Sequence, residues 1–187
     1  MFSSQIHLES TSTFPPWGLA LEEPNWYAIH TRPRHEKWIA QQLQEKRVFT
    51  CLPLLQQIHQ WSDRRSKVEV PLFSCYAFVR IAQTTEERLK VLRTPGVLGF
   101  VGNERQGTPI PDDQVENLRT AIREKIPCAL HPFVSAGKRV RIRGGSLDGV
   151  EGILVRQGTD QSLVVSVELL RRSVSIRVEG YNIELMN

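Results

Sequence analysis

VEVPLFSCYAFVRI, residues 68–81, is the densest strand-like run in the first two-thirds of the chain. Taking alternate positions from Phe73 puts Phe73, Cys75, Ala77, Val79 and Ile81 on one face and Ser74, Tyr76, Phe78 and Arg80 on the other. A half-buried strand has one polar face. Here both faces are largely apolar, which predicts a strand at the centre of a sheet. The small residues of the first face suit close packing beneath helices. Tyr76 and Phe78 need a separate cover, either a second layer of the chain or a partner.

The flanking segments supply the rest of such a sheet. WYAIHT, residues 26–31, reads as a short aromatic and β-branched strand ended by Pro33. Residues 34–46 read as a helix with Trp38, Ile39 and Leu43 on one side. Residues 48–55 form a second strand, edge-like at Pro53. Residues 57–61 and 67–70 flank Ser62-Asp63-Arg64-Arg65, a hairpin tip with two arginines. Beyond the central strand, Thr84 and Glu87 have capping-box spacing for a helix to about Arg93, stopped by Pro95-Gly96. A strand over 97–101 follows. Asp112 is then the expected N-cap of a helix through Lys125 with a buried stripe of Val115, Leu118 and Ile122. This order predicts an α+β unit, an antiparallel sheet flanked by helices.

The two ends differ in character. Residues 1–24 hold Pro15-Pro16, many Ser and Thr, and Glu9, Glu22 and Glu23 without Lys or Arg, a net −3 expected to form a poorly ordered tail. The run PCALHP begins a linker over 127–134. After it the chain is rich in Val, Ile and Leu, with turn signals at Gly144-Gly145, Asp148-Gly149, Gly158-Thr159-Asp160 and Glu179-Gly180. Five short strands fit, over 139–143, 152–156, 162–167, 173–178 and 182–185, and closing into a small barrel stabilises so few. The domains are therefore a tail over 1–24, an α+β domain over 25–126, a linker over 127–134 and a β-barrel over 135–187. Residues 162–178 are dominated by Val, Ser and Ile, which disfavour helix, so the barrel is expected to stay β.

Composition narrows the function. The chain has 187 residues, 40% hydrophobic, with a net charge of +4 and a pI near 9.2, which suits a polyanionic partner. Cys51, Cys75 and Cys128 are odd in number and lack C-x-x-C spacing, as expected of reduced thiols in a cytoplasmic protein. No apolar run approaches the ~20 residues that cross a bilayer. The histidines are scattered, and His30 with His35 makes no convergent ligand set. Asp112-Asp113 reads as helix N-terminal charge rather than a catalytic carboxylate pair. The expectation is a cytoplasmic, monomeric, non-enzymatic protein with no metal and no cofactor.

Four motifs in order resemble the NusG family of transcription elongation factors. NWYAIHTRPRHEKWIAQQL, VEVPLFSCYAFVRI and TPGVLGFVG resemble its N-terminal (NGN) domain, and AGKRVRIRGGSLDGVEGIL resembles its C-terminal KOW motif. The resemblance implies a five-stranded SH3-like barrel behind the α+β domain. It also implies a cover for Tyr76 and Phe78: with Phe100, these would bind the clamp helices of the large RNA polymerase subunit. Ser74-Cys75 departs from the Pro-Gly or Pro-Asn of many members, which puts the local turn geometry in question.

Arg32, Arg34, His35 and Lys37 cluster beside Trp38, and in specialised members this region contacts the non-template single-stranded DNA. Without the resemblance, a solvated charged face is the simpler reading. Arg64 and Arg65 at the hairpin tip fit a second contact, with nucleic acid or with polymerase. Gly149 and Gly152 bracket the KOW turn, where glycine serves positive φ and close chain approach. Through this domain the family recruits Rho or a small-subunit ribosomal protein. Leu147 and Ile153 are the candidate contacts on the barrel rim, with barrel core the stronger reading for Ile153. The resemblance implies an elongation and antitermination factor, specialised for particular operons. The alternatives are a housekeeping member and a ribosome-associated KOW RNA-binding protein.

Overall fold

The computed structural model describes residues 23–60, 65–103, 106–124, 126, 128–134, 137–157, 160–178 and 180–186. Its first sheet has the order β2-β5-β1-β6, with β7 pairing β1 beside β6. These strands are β1 (Asn25–Thr31), β2 (Phe49–Cys51), β5 (Tyr76–Ile81), β6 (Val97–Phe100) and β7 (Pro109–Ile110). The run chosen as central is central: β5 lies between β2 and β1, antiparallel to both.

That run is not one strand, however. Residues 65–71 form β4 (Arg65–Pro71), which pairs with β3 (Leu54–Gln60) in a separate hairpin. The chain then turns at Phe73–Tyr76, where the Tyr76 N–H donates to the Phe73 carbonyl. The turn moves Phe73 onto the face of Phe78, whose ring it meets edge-on at 6.2 Å. Alternation holds only after the turn.

Each face of the sheet is covered by the chain itself. Helices α1 (Glu36–Glu45) and α2 (Thr85–Leu92) cover one face, packing Ile39, Leu43 and Val91 on Tyr27, Ile29, Ala77, Val79 and Ile81. Helix α3 (Asp112–Arg123) covers the other, packing Val115, Leu118 and Ala121 with Trp26, Ala28 and Phe78. The buried stripe of α1 is Glu36, Ile39, Ala40 and Leu43 at i, i+3, i+4, i+7. This leaves Trp38 outside at 44% exposure, against its expected place on the apolar side. Glu36 tolerates burial because its carboxylate accepts the Cys75 N–H at 2.8 Å. Helix α2 begins as read, with the Thr84 hydroxyl accepting from the Glu87 N–H. Asp112 is instead the first helical residue of α3, after Pro111, and its carboxylate pairs with Arg80 at 2.9 Å.

The C-terminal half is an all-antiparallel sheet of order β13-β9-β10-β11-β12-β8. The five expected strands are β9 (Lys138–Arg143), β10 (Glu151–Gln157), β11 (Asp160–Val167), β12 (Arg172–Arg177) and β13 (Asn182–Leu185). The sixth, β8 (Cys128–His131), corrects the linker: its residues pair with Ser173–Ile176 of β12. A residue before proline is biased to extended backbone, which fits His131 to end a strand before Pro132. Only residues 124–127 therefore separate α3 from the second sheet. The buried apolar residues of α3's face and of this sheet join in one cluster.

Candidate polymerase and nucleic-acid surfaces

Sequence reasoning grouped Tyr76, Phe78 and Phe100, but the structure divides them. Tyr76 and Phe78 lie opposite His30 and Ala28 in β1, on the face covered by α3. Phe100 lies opposite Ile29 and packs edge-on against Tyr27 at 5.9 Å, on the α1–α2 face. Its ring also carries the Arg88 guanidinium at 5.2 Å. Phe78 has 0% exposure: the second layer it needed is the chain's own α3, so its ring is core. Tyr76 is half-buried, stacked beside the His30 ring at 5.4 Å.

An apolar opening lies on the α3 side of the sheet. A groove of about 440 Å³ runs between the β3–β4 hairpin and the end of α3. Leu52, Leu54, Leu55, Leu72, Ile122 and Ile126 line it, with Gln56 and Glu69 also on its walls. Lys37 reaches Glu69 at 3.9 Å. Only the hairpin spacing in the sequence pointed here, because the walls come from three separate segments.

The basic junction is partly assembled. Arg32, His35 and Trp38 share a groove of about 390 Å³ with Pro95 and Gly96, the last held by the Arg32 N–H donating to the Gly96 carbonyl. His35 is the residue before α1, its Nδ1 placed 2.9 Å from the Pro33 carbonyl. Arg34 is exposed and takes positive φ, 64°, just before it. Lys37 points instead toward the β3–β4 hairpin, as its Glu69 contact shows. Trp38 and Pro95 complete the groove, and Pro95 carried no signal beyond ending a helix. Arg64 lies outside the described residues, and Arg65 opens β4 opposite Gln60.

In the second half, Gly149 takes φ 82° with nothing near its missing Cβ, so it serves the turn. Gly152 serves close approach: a Cβ there would stand 2.5 Å from the Val164 carbonyl oxygen. Leu147, expected on the rim, is fully buried because its 3₁₀ turn folds it into the core beside the second sheet. Ile153, favoured as core, is half-buried.

The three cysteines are free and half-buried. Burial pushes the Cys51 thiol up to about 11, with Arg119 pulling it down and Glu116 pushing it up to smaller extents. Burial also raises Cys128. Among the described residues, no three His, Cys, Asp or Glu side chains are grouped to hold a metal. Among the described helices, none is long and apolar enough to cross a membrane.

The family model for "Transcription termination factor nusG" matches residues 24–119, just over half of the chain. The chain belongs to the NusG family. The transcription termination/antitermination protein NusG of Staphylococcus aureus strain Mu50 is 27% identical over 174 residues, covering 85% of this chain and 94% of that protein. Its Staphylococcus carnosus counterpart is 28% identical over 175 residues with the same coverage. Among solved structures, "Domain interaction in Thermotoga maritima NusG" matches with a TM-score of 0.50 and 19% identity, over 82% of this chain and 93% of that one. It has the same fold, an α+β domain followed by an antiparallel β domain. The chain is thus a NusG-family transcription termination/antitermination factor, and that family is non-enzymatic.

Proposed function

We propose that this chain binds RNA polymerase through the α3 side of its first domain and keeps elongation processive. The observation that carries this reading is the groove of about 440 Å³, an apolar opening framed by six leucine and isoleucine side chains. Its occupant is the clamp-helix region of the large polymerase subunit, as membership of the family implies. Tyr76 borders the same face with a polar end available to a partner. Phe78 supports the face from beneath, and Phe100 supports it from across the sheet.

The junction groove supports a second contact, with the non-template DNA strand. Arg32 and Arg34 supply phosphate charge, and Trp38 supplies an exposed aromatic face beside His35. This pairing favours a factor specialised for particular operons. Relatives matching along both halves favour a general factor that recruits Rho or a small-subunit ribosomal protein through the barrel. A genome carrying a second, more typical member supports specialisation, and a single copy refutes it.

Polymerase capture by the full chain is the test, with Leu55→Ala/Tyr76→Ala as the variant. Loss of capture by the folded variant supports the groove. Equal capture rejects it.

A further inference from the structure

Strand β2 is an open edge of the first sheet: among the described residues it pairs with β5 alone. An unpaired edge invites another chain unless something covers it. Its first residue, Phe49, is 51% exposed. Phe49 lies opposite Arg80 of β5, and Arg80 opposite Trp26 of β1, so the three side chains share one face. The Phe49 ring meets Trp26 at 5.5 Å, and the Arg119 guanidinium lies over it at 5.2 Å. Beside Phe49 a groove of about 310 Å³ opens between the end of α1 and β2, lined by Gln44, Arg47, Val48 and Thr50. The first described residues arrive at this same row. The Arg80 Nε donates to the Pro24 carbonyl at 3.2 Å, and the Asn25 Nδ2 to the Glu23 carbonyl at 3.1 Å.

We propose that FPPWGLALEE, residues 14–23, folds back over this edge and seats the Trp17 indole in the Phe49 groove. Residues 1–22 lie outside the described residues. Reach, chemistry and charge select them as the occupant. From Pro24, beside β1, to Phe49 is two strand spacings, about 10 Å. The seven residues 17–23 span up to about 25 Å when extended, which leaves slack to pass Arg80. So short a tether gives the indole an effective concentration near the millimolar range, an advantage that a second copy of the chain lacks. Trp17 offers an aromatic face to Phe49 and an N–H to the polar wall. Charge points the same way. Residues 1–23 hold Glu9, Glu22 and Glu23 with no Lys or Arg. Around the groove stand Arg47, Arg80 and Arg119, of which Arg80 pairs with Asp112 and Arg119 with Glu116. Three cations against two acids leave a positive rim for the acidic segment. Seated there, the segment covers the free side of β2 and blocks pairing by another chain.

The test uses the full chain in solution NMR and limited proteolysis. Nuclear Overhauser contacts between the Trp17 indole and the Phe49 ring are expected. Trp17→Ala should shift the amides of Phe49 and Thr50 and leave those of the second sheet in place. Chymotrypsin should cut after Trp17 and Leu19 about tenfold faster in Phe49→Ala, and in Arg47→Glu, than in the unmodified chain. Trp17→Ala changes no described residue, so it covers the case in which a Phe49 or Arg47 variant misfolds. Unchanged Phe49 and Thr50 amides in Trp17→Ala, or Trp17 contacts to other residues instead, overturn the proposal. Equal cutting of the folded variants and the unmodified chain overturns it as well. Amide shifts at Phe49 that grow with protein concentration assign the edge to a second copy and also overturn it.

Discussion

Cys75 sits where the chain needs a left-handed residue, with φ 68° in the turn before β5. Many family members place Gly or Asn near this turn. Here a cysteine keeps the geometry because Glu36 accepts its N–H and the Thr31 N–H donates to its carbonyl. An L-residue in that region costs about 1–2 kcal/mol, of which glycine's greater unfolded entropy returns about 0.5–1. Cys75→Gly should therefore raise stability by up to about 1 kcal/mol, read as a higher urea midpoint at constant slope. Gly152 has the opposite constraint. Gly152→Ala forces a methyl against the Val164 carbonyl oxygen and the Leu163 side chain, and should cost about 1–3 kcal/mol by thermal unfolding. Cys51 ties stability to alkaline pH. Its folded pKa, about 11, lies above the ordinary thiol value of 9.0, so the unfolded chain loses its proton first. The stability it contributes is complete below pH 9 and falls as pH rises toward 11. Cys51→Ser, whose hydroxyl does not titrate there, should flatten that part of a pH–stability curve.

Among elements, α3 shows what sequence patterning can and cannot reveal. Its stripe of Val115 and Leu118 was legible from the 3.6-residue period, and so were the first sheet's central strand, the β3–β4 hairpin and five strands of the second sheet. The period could not say which sheet face α3 covers, and this decides whether Phe78 is surface or core. Alternation likewise could not see the turn at Phe73–Tyr76, because apolar residues run straight through it. The strand β8 was hidden for a similar reason: a proline at each end of CALH reads as a linker, although proline also bounds edge strands. The site was less legible than the fold because its walls are distant in sequence. Leu55, Leu72 and Ile122 meet only after folding. Phe78→Ala should therefore be a stability variant, costing about 3–5 kcal/mol, rather than a clean interface variant. The junction groove is tested separately. Trp38→Ala, at an exposed position, should leave stability within about 0.5 kcal/mol and weaken single-stranded DNA binding by about 1–3 kcal/mol in a fluorescence titration.

At the scale of the whole molecule, α3 is the shared element: its apolar stripe closes the first sheet and its polar face meets the second. The central claim concerns the groove, and a binding titration of RNA polymerase against the full chain tests it most directly. Leu55→Ala/Tyr76→Ala should weaken binding by about 2 kcal/mol or more, roughly thirtyfold, with an unchanged circular dichroism spectrum. A folded variant that binds polymerase as tightly as the unmodified chain would contradict it.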